Sequence, residues 1–189
     1  MVKRVVMYMA LAVIAALVMA AGCVQEGKEE NRANLVTGNG TIQFVDLEGG
    51  FYGITAGDGS RYYPLDLPPE FEDDGIPVSF SLAIAPENGT VAQWGRPVFI
   101  KSLRSTAGTA PVVSAYGNIT RVDLEGGFSG IQVLDPAPGM PSAYDPLNLG
   151  DEFQEPGTPV RFAGIEQTDI FTTRMWGTPL EILHMEEVT

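Results

Sequence analysis

The chain has 189 residues, of which 24 are acidic, 11 are lysine or arginine and one is cysteine. A formal net charge of −13 repels the phosphates of nucleic acids, so we expect no nucleic-acid partner. A single cysteine excludes a disulfide within the chain, so its stability must come from the burial of apolar side chains.

Residues 1–22 have the pattern of a lipoprotein-type signal segment. Lys3 and Arg4 precede an almost wholly apolar stretch over 5–21, and small residues then lead to Cys23. This order predicts export and lipidation of Cys23, which would anchor the protein to the membrane in the cell envelope, on the extracytoplasmic side. The alternative is an uncleaved anchor helix, although the apolar stretch is at the short limit for a membrane span.

The mature part of the chain begins with a polar segment and continues with an internal repeat. Residues 23–34 are charged and have no apolar period, which predicts a flexible tether. The heptapeptide Val-Asp-Leu-Glu-Gly-Gly-Phe then occurs at 45–51 and again at 122–128. A repeat with this spacing indicates two copies of one small domain.

The offset between matching residues fixes where the two copies differ in length. It is 77 at the heptapeptide and 82 from Tyr144 onward, so the second copy has a five-residue insertion between Ile131 and Tyr144. Insertions are tolerated best in exposed turns. We therefore predict a first domain over 35–103, a linker rich in small residues over 104–110, and a second domain over 111–189.

Each copy has the pattern of a small all-β domain. Apolar alternation marks strands, Asp58-Gly59 marks a hairpin turn, and proline followed by glycine brackets a short helical turn. The predicted elements of the first copy are strands at 42–45, 51–55 and 61–67, one helical turn within 68–75, and strands at 77–84 and 98–103, with Val98 and Ile100 facing inward.

Three strands, a short helical piece and two strands are the element order of a five-stranded OB-type barrel. A copy of this size can enclose one small core. The predicted fold is therefore all-β, with two tandem five-stranded OB-like barrels after an N-terminal signal or anchor helix. A small open sheet or an SH3-like barrel is the alternative, since element order alone does not fix strand pairing.

Aromatic side chains are the best candidates for a binding face, and the first copy offers Tyr52, Tyr62, Tyr63 and Trp94. The residues of the second copy at these four positions are Ser129, Tyr144, Asp145 and Trp176. We expect the shared tyrosine and tryptophan to pack within each barrel. The unshared Tyr52 and Tyr63 are expected to be exposed, where they would stack on sugars or peptide side chains. Ordinary surface variation is the alternative.

The repeated heptapeptide also carries acids, in Asp46-Leu47-Glu48 and Asp123-Leu124-Glu125. Two carboxylates supply too few oxygens for calcium, so we predict solvated acids around core-facing leucines, with no metal and no cofactor. The glycine pairs at 49–50 and 126–127 precede strands instead of helices, which predicts a tight bend and not a phosphate loop.

The sequence contains three Asn-X-Thr triplets, at Asn39, Asn88 and Asn118. They are candidate glycosylation sites in a host that glycosylates surface proteins. No catalytic residues are predicted, because His184 is the only histidine and no nucleophile or metalloprotease motif occurs.

Three stretches carry a family resemblance: Leu-Glu-Gly-Gly-Phe-Tyr-Gly-Ile at 47–54, Tyr-Tyr-Pro-Leu-Asp-Leu-Pro-Pro-Glu-Phe at 62–71, and Met-Trp-Gly-Thr-Pro-Leu-Glu-Ile at 175–182. The chain resembles tandem copies of a small OB-like β-barrel domain of bacterial and archaeal envelope lipoproteins. The first copy departs from this pattern at Gln93 and Arg96. The resemblance implies a small β-barrel and no established activity.

The sequence thus favours a surface-anchored lipoprotein that acts as a non-catalytic binding module for an envelope or extracellular ligand, either a protein, a peptide or a glycan. A structural or inhibitory envelope protein that acts by protein–protein contact is the second hypothesis. An enzyme is the third, and it would need a polar cleft between the two copies.

Overall fold

A computed structural model describes residues 34–47, 49–86, 94–124, 126–170 and 175–188. The predictions for the signal segment, for Cys23, for nearly all of the tether, and for Glu48, Asn88 and Glu125 lie outside these described residues. Within them, no helix has the length and apolar character needed to cross a membrane.

The described residues form ten strands and two single 3₁₀ turns, so the fold is all-β as predicted. The strands of the first repeat are β1 Leu35–Val45, β2 Phe51–Ala56, β3 Arg61–Pro64, β4 Pro77–Ile84 and β5 Arg96–Ser105. Those of the second repeat are β6 Val112–Val122, β7 Phe128–Val133, β8 Ala143–Pro146, β9 Pro159–Glu166 and β10 Thr178–Glu187. The 3₁₀ turns are Pro69–Phe71 and Asp151–Phe153.

Strand ends differ from the predicted ones where a neighbouring strand decides them. β4 has the predicted bounds, whereas β3 ends at Pro64 and leaves Leu65 exposed at 47%. β5 continues to Ser105, into the segment predicted as a linker, because β4 pairs with it through Ser105 and β6 pairs with Ser102–Arg104 on the other edge. Val98 and Ile100 face the core as predicted.

The strands of the second repeat close into a five-stranded barrel. The circuit is β6–β7–β8–β10–β9 and back to β6, in which β8 and β10 are parallel and the other pairs are antiparallel. A closed circuit leaves few free backbone groups at sheet edges. The fold therefore contains a closed five-stranded barrel, formed by β6–β10, and the further strands β1–β5 continue its sheet.

The strands of the first repeat are paired in the same order and register. β1 pairs with β2, β2 with β3, β3 runs parallel to β5, and β4 lies between β5 and β1. Even the irregularities match, since β5 bulges at Lys101 and β10 bulges at the corresponding Leu183. The five-residue insertion lies in the loop 134–142, whose counterpart in the first repeat is the loop 57–60.

Two separate apolar clusters lie inside these strands. The first core consists of Ile42, Ile54, Tyr62, Phe71, Val78, Phe80, Leu82, Val98, Ile100 and Leu103. The second core consists of Val113, Ala115, Ile119, Ile131, Val133, Ala137, Met140, Tyr144, Val160, Phe162 and Leu180. The shared tyrosine of the two repeats is thus buried in both cores, as predicted.

The turn that follows β1 and β6 differs from the prediction. Leu47 and Leu124 were expected to face the core, but they are 48% and 45% exposed. β1 and β6 end just before these residues, at Val45 and Val122, and the chain then turns tightly, so strand alternation no longer applies. The glycine pairs that complete the turns have φ between 81° and 103°, which confirms the predicted tight bends.

The two repeats are joined by a strand pair that we call the β5–β6 junction. Ser102, Leu103 and Arg104 pair antiparallel with Ala115, Ser114 and Val113, respectively. Val112, at the start of β6, packs against the first core. The sheet is therefore continuous from one repeat into the next.

A buried ion pair crosses this junction. Glu166, which is 1% exposed, accepts hydrogen bonds from Arg104 Nε at 3.0 Å and Nη2 at 2.7 Å, and from the Tyr144 hydroxyl at 2.8 Å. Burial raises the pKa of Tyr144 far above its ordinary value, and the negative charge of Glu166 is the second cause of this shift. The hydrogen bond to Glu166 raises the pKa of Arg104. Ile84 occupies the position of Glu166 in the first repeat, so the pair is specific to the junction.

We expect Arg104→Met to lower the free energy of unfolding by about 3 kcal/mol, because it leaves the Glu166 carboxylate buried without its cation. The double variant Arg104→Met/Glu166→Ile removes both charges and should recover most of this loss. Urea denaturation followed by tryptophan fluorescence measures both values. Equal midpoints for Arg104→Met and the wild type would show that the junction does not depend on this pair.

Candidate functional site

Three aromatic rings lie together on the outer face of β2 and β3, which is the face turned away from the first core. The Phe51 ring contacts Tyr63 and Trp94 edge to face, with centroid distances of 4.8 Å and 5.7 Å. All three side chains are half-buried. We call Phe51, Tyr63 and Trp94 the aromatic cluster.

A glycine in β2 forms the floor under the tryptophan of this cluster. A Cβ atom at Gly53 would overlap the Trp94 indole, so only glycine lets the ring approach the strand this closely. The Arg61 guanidinium lies 5.7 Å from the Trp94 ring centroid, within the range of a cation–π contact. The Trp94 ring therefore packs against the backbone at Gly53 and makes a cation–π contact with Arg61.

The other two predicted binding residues do not belong to this cluster. Tyr52 packs against the first core and against Phe44, at a centroid distance of 5.4 Å. Tyr62 is inside the first core, 5.8 Å from Phe80. The structure therefore groups Tyr63 with Trp94, and the expectation of an exposed pair of Tyr52 and Tyr63 is wrong, as is the expectation that Trp94 packs inside the barrel.

The second repeat retains only part of the cluster. Trp176 lies on Gly130 and contacts Phe128 at 5.8 Å, as Trp94 lies on Gly53. Asp145 replaces Tyr63 and is fully buried. The complete cluster, with its tyrosine, is therefore a feature of the first repeat.

A second candidate, which the sequence did not predict, is a cavity of about 470 Å³ where the first repeat meets the second. Its floor is the outer face of β6, β9 and β10, and its wall is the segment 66–70 of the first repeat. His184 and Glu186 line the side formed by β10. The only sequence signal was indirect, since Arg161 and His184 replace Ser79 and Ser102 of the first repeat.

The charges on the cavity wall are partly paired. Arg161 Nη2 donates to the Asp66 carbonyl oxygen at 2.7 Å and lies 3.5 Å from the Asp66 carboxylate. The Tyr116 ring lies 5.7 Å from the Arg161 guanidinium and 5.3 Å from the Lys101 ammonium. These contacts join the two repeats, because Asp66 and Lys101 belong to the first and Arg161 and Tyr116 to the second.

The remaining predicted sites are dispersed. Asn39 is exposed on β1, and Asn118 is half-buried on β6. Asp46 and Asp123 are exposed at the two turns. Among the residues that the structure describes, no group of three or more His, Cys, Asp or Glu side chains is placed to hold a metal ion.

Comparison with protein-family models, with curated proteins and with solved structures found no match to this chain.

The glycine floor can be tested by adding one methyl group. Gly53→Ala should lower the free energy of unfolding by about 1–3 kcal/mol and displace the Trp94 ring, because the new Cβ overlaps the indole. Gly57→Ala is the matched control, since its Cβ would have one neighbour, at 3.7 Å. Urea denaturation of both variants, with their tryptophan emission spectra, measures the effect. A Gly53→Ala protein that matches the control in both readouts contradicts the described packing.

Proposed function

We propose that this protein is a surface-anchored lipoprotein with two tandem OB-like barrels, and that the first of them binds an extracellular glycan without catalysis. The observation that carries the proposal is the aromatic cluster. The pairing order of β1–β5, which repeats that of the closed barrel, supports the tandem arrangement. The signal pattern that ends at Cys23 supports the lipid anchor.

The position of the cluster fits the binding face of an OB-like barrel. OB-folds bind oligonucleotides and oligosaccharides on the face of strands 2 and 3 and on the adjoining loops. Phe51 lies on β2, Tyr63 on β3, and Trp94 just before β5. The three rings therefore lie on the part of the barrel that this class of fold uses for elongated ligands.

The chemistry of the cluster favours a sugar over a nucleic acid. Half-buried aromatic rings offer flat apolar surfaces on which pyranose rings stack. Arg61, beside Trp94, offers N–H donors for sugar hydroxyl groups. A net charge of −13 opposes the approach of a polyphosphate. These features together support a neutral glycan as the ligand.

A second candidate function is protein–protein contact in the envelope. Parts of β1 and β10 favour it: among the described strands, Val36–Gly38 of β1 and His184–Glu186 of β10 have a paired strand on one side only, and free edges pair readily with other strands. This function does not require the aromatic cluster, and the two are therefore separable by mutation.

Glycan binding can be followed by the fluorescence of Trp94. The chain has two tryptophans, so Trp176→Phe leaves Trp94 as the only reporter. We expect a soluble chito-oligosaccharide to change its emission with saturation, and Tyr63→Ala to weaken the binding about tenfold, the equivalent of one aromatic contact of about 1.4 kcal/mol.

Leu65→Ala, in the same background, is the control, because Leu65 follows Tyr63 by two residues, is exposed and does not belong to the aromatic cluster. The control should bind as its parent does. If the parent shows no saturable change with oligosaccharides, or if Tyr63→Ala and Leu65→Ala bind equally, the cluster is not a glycan site.

A further inference from the structure

β10 and β1 each have an edge segment that corresponds to one side of the β5–β6 junction. Among the described residues, neither segment has a strand paired with it. On β5, Ser102–Arg104 form the edge that pairs with β6, and the corresponding residues of β10 are His184–Glu186. β10 pairs with β8 only over Thr178–Leu180. Among the described strands, none lies beside His184–Glu186 on that edge.

β1 also has an edge segment without a paired strand among the described residues. The residues of β6 that pair with β5 are Val113–Ala115, and their counterparts in β1 are Val36–Gly38. β2 pairs with β1 only from Gly40 onward. In the described part of the chain, no strand covers Val36–Gly38 on the edge that β2 leaves free.

A cavity next to the β1 edge corresponds to a space that the internal junction fills. It measures about 300 Å³, and its lining includes Gly38, Asp58 and Tyr62. The counterparts of Asp58 and Tyr62 in the second repeat are Asp135 and Tyr144. Both belong to the filled junction, as the next contacts show.

In that junction, Ser102 Oγ donates a hydrogen bond to the Asp135 carbonyl oxygen. Tyr144 donates to Glu166, which also accepts from Arg104. A strand that pairs with β1 in the same way would therefore enter the cavity with two of its side chains.

We propose that copies of this chain associate head to tail, with the β10 edge of one copy paired with the β1 edge of the next in the register of the β5–β6 junction. The predicted pairs are His184 with Gly38, Met185 with Thr37, and Glu186 with Val36. Because the two edges are different surfaces, the contact is heterologous, and an assembly of any length keeps one free β1 edge and one free β10 edge, at its two ends. This inference goes beyond glycan binding and does not involve the aromatic cluster.

The side chains at the β10 edge and near the β1 edge can form hydrogen bonds with each other, but they do not repeat the Arg104–Glu166 ion pair. Glu186 occupies the position of Arg104, while Ile84 occupies that of Glu166. One carboxylate therefore remains for each junction, and Glu186 would accept the hydrogen bond of the Tyr62 hydroxyl. His184, in the position of Ser102, supplies the N–H donor for the Asp58 carbonyl oxygen.

The register is tested by cysteine cross-linking of the full chain in detergent. With Cys23→Ser as the background, Thr37→Cys and Met185→Cys are placed directly opposite each other. Opposed residues of an antiparallel pair have Cα atoms about 4.5–5.5 Å apart, which suits a disulfide. We expect oxidation to give a ladder of dimers, trimers and larger species on a non-reducing gel.

The matched control is Thr106→Cys with Met185→Cys, since Thr106 is equally exposed and lies outside the β1 edge. It should give no ladder. Equal ladders in the two double variants, or no ladder in either, would overturn the proposal.

A second measurement does not depend on introduced cysteines. The Asn39 carbonyl accepts a hydrogen bond from Gly57 on the β2 side, so the Thr37 N–H, two residues away, faces the same edge. Thr37→Pro removes that donor, and proline is tolerated on a free edge. We expect the Cys23→Ser chain to sediment with a mass that rises at least twofold with concentration, and Thr37→Pro to abolish the rise. A mass that stays constant in both also overturns the proposal.

Discussion

The arrangement of the two repeats depends on the pairing of β5 with β6 and on the ion pair that crosses it. Glu166 lies beside the second core, where an unpaired carboxylate would be costly. Its cation, Arg104, comes from the other repeat. A shift of the junction by one residue would turn Arg104 to the opposite face of the sheet and separate the charges. The pair therefore fixes the register of the junction, whatever its net contribution to stability.

The comparison of the repeats separates what the fold requires from what each copy adds. Strand pairing, the bulges at Lys101 and Leu183, and the tryptophan on its glycine occur in both copies. The differences occur inside the repeats as well as on their surfaces, since Gly164 occupies the position of the core residue Leu82. The buried Glu166 replaces Ile84 at the junction, and the buried Asp145 replaces the half-buried Tyr63 of the aromatic cluster. The order of strand pairing is therefore common to both repeats, while single side chains in the core, at the junction and in the cluster differ.

The sequence was sufficient for the elements whose own side chains determine them. β4 was predicted with the right bounds because Val78, Phe80 and Leu82 alternate with small polar residues. The end of β5 was not predictable from its own side chains, because strand pairing sets it: β4 pairs with β5 through Ser105, and β6 pairs with it through Arg104. The inward orientation of Tyr52 could have been predicted from strand alternation, because Tyr52 lies two residues before the buried Ile54 and so points to the same side of the sheet.

The site was less accessible to sequence reasoning, because it depends on contacts between distant segments. Gly53 and Trp94 are 41 residues apart, and their recurrence as Gly130 and Trp176 did not predict that they touch. The free edges of β1 and β10 could not be predicted from the sequence for a different reason. A strand edge is defined by what does not pair with it, and this requires the whole sheet order. The two repeats match in strand pairing, so the β5–β6 junction indicates a partner strand and a register for the free edges of β10 and β1. The net charge of −13 opposes this pairing between copies, so association depends on concentration, which a lipid anchor would raise by confining the copies to one surface.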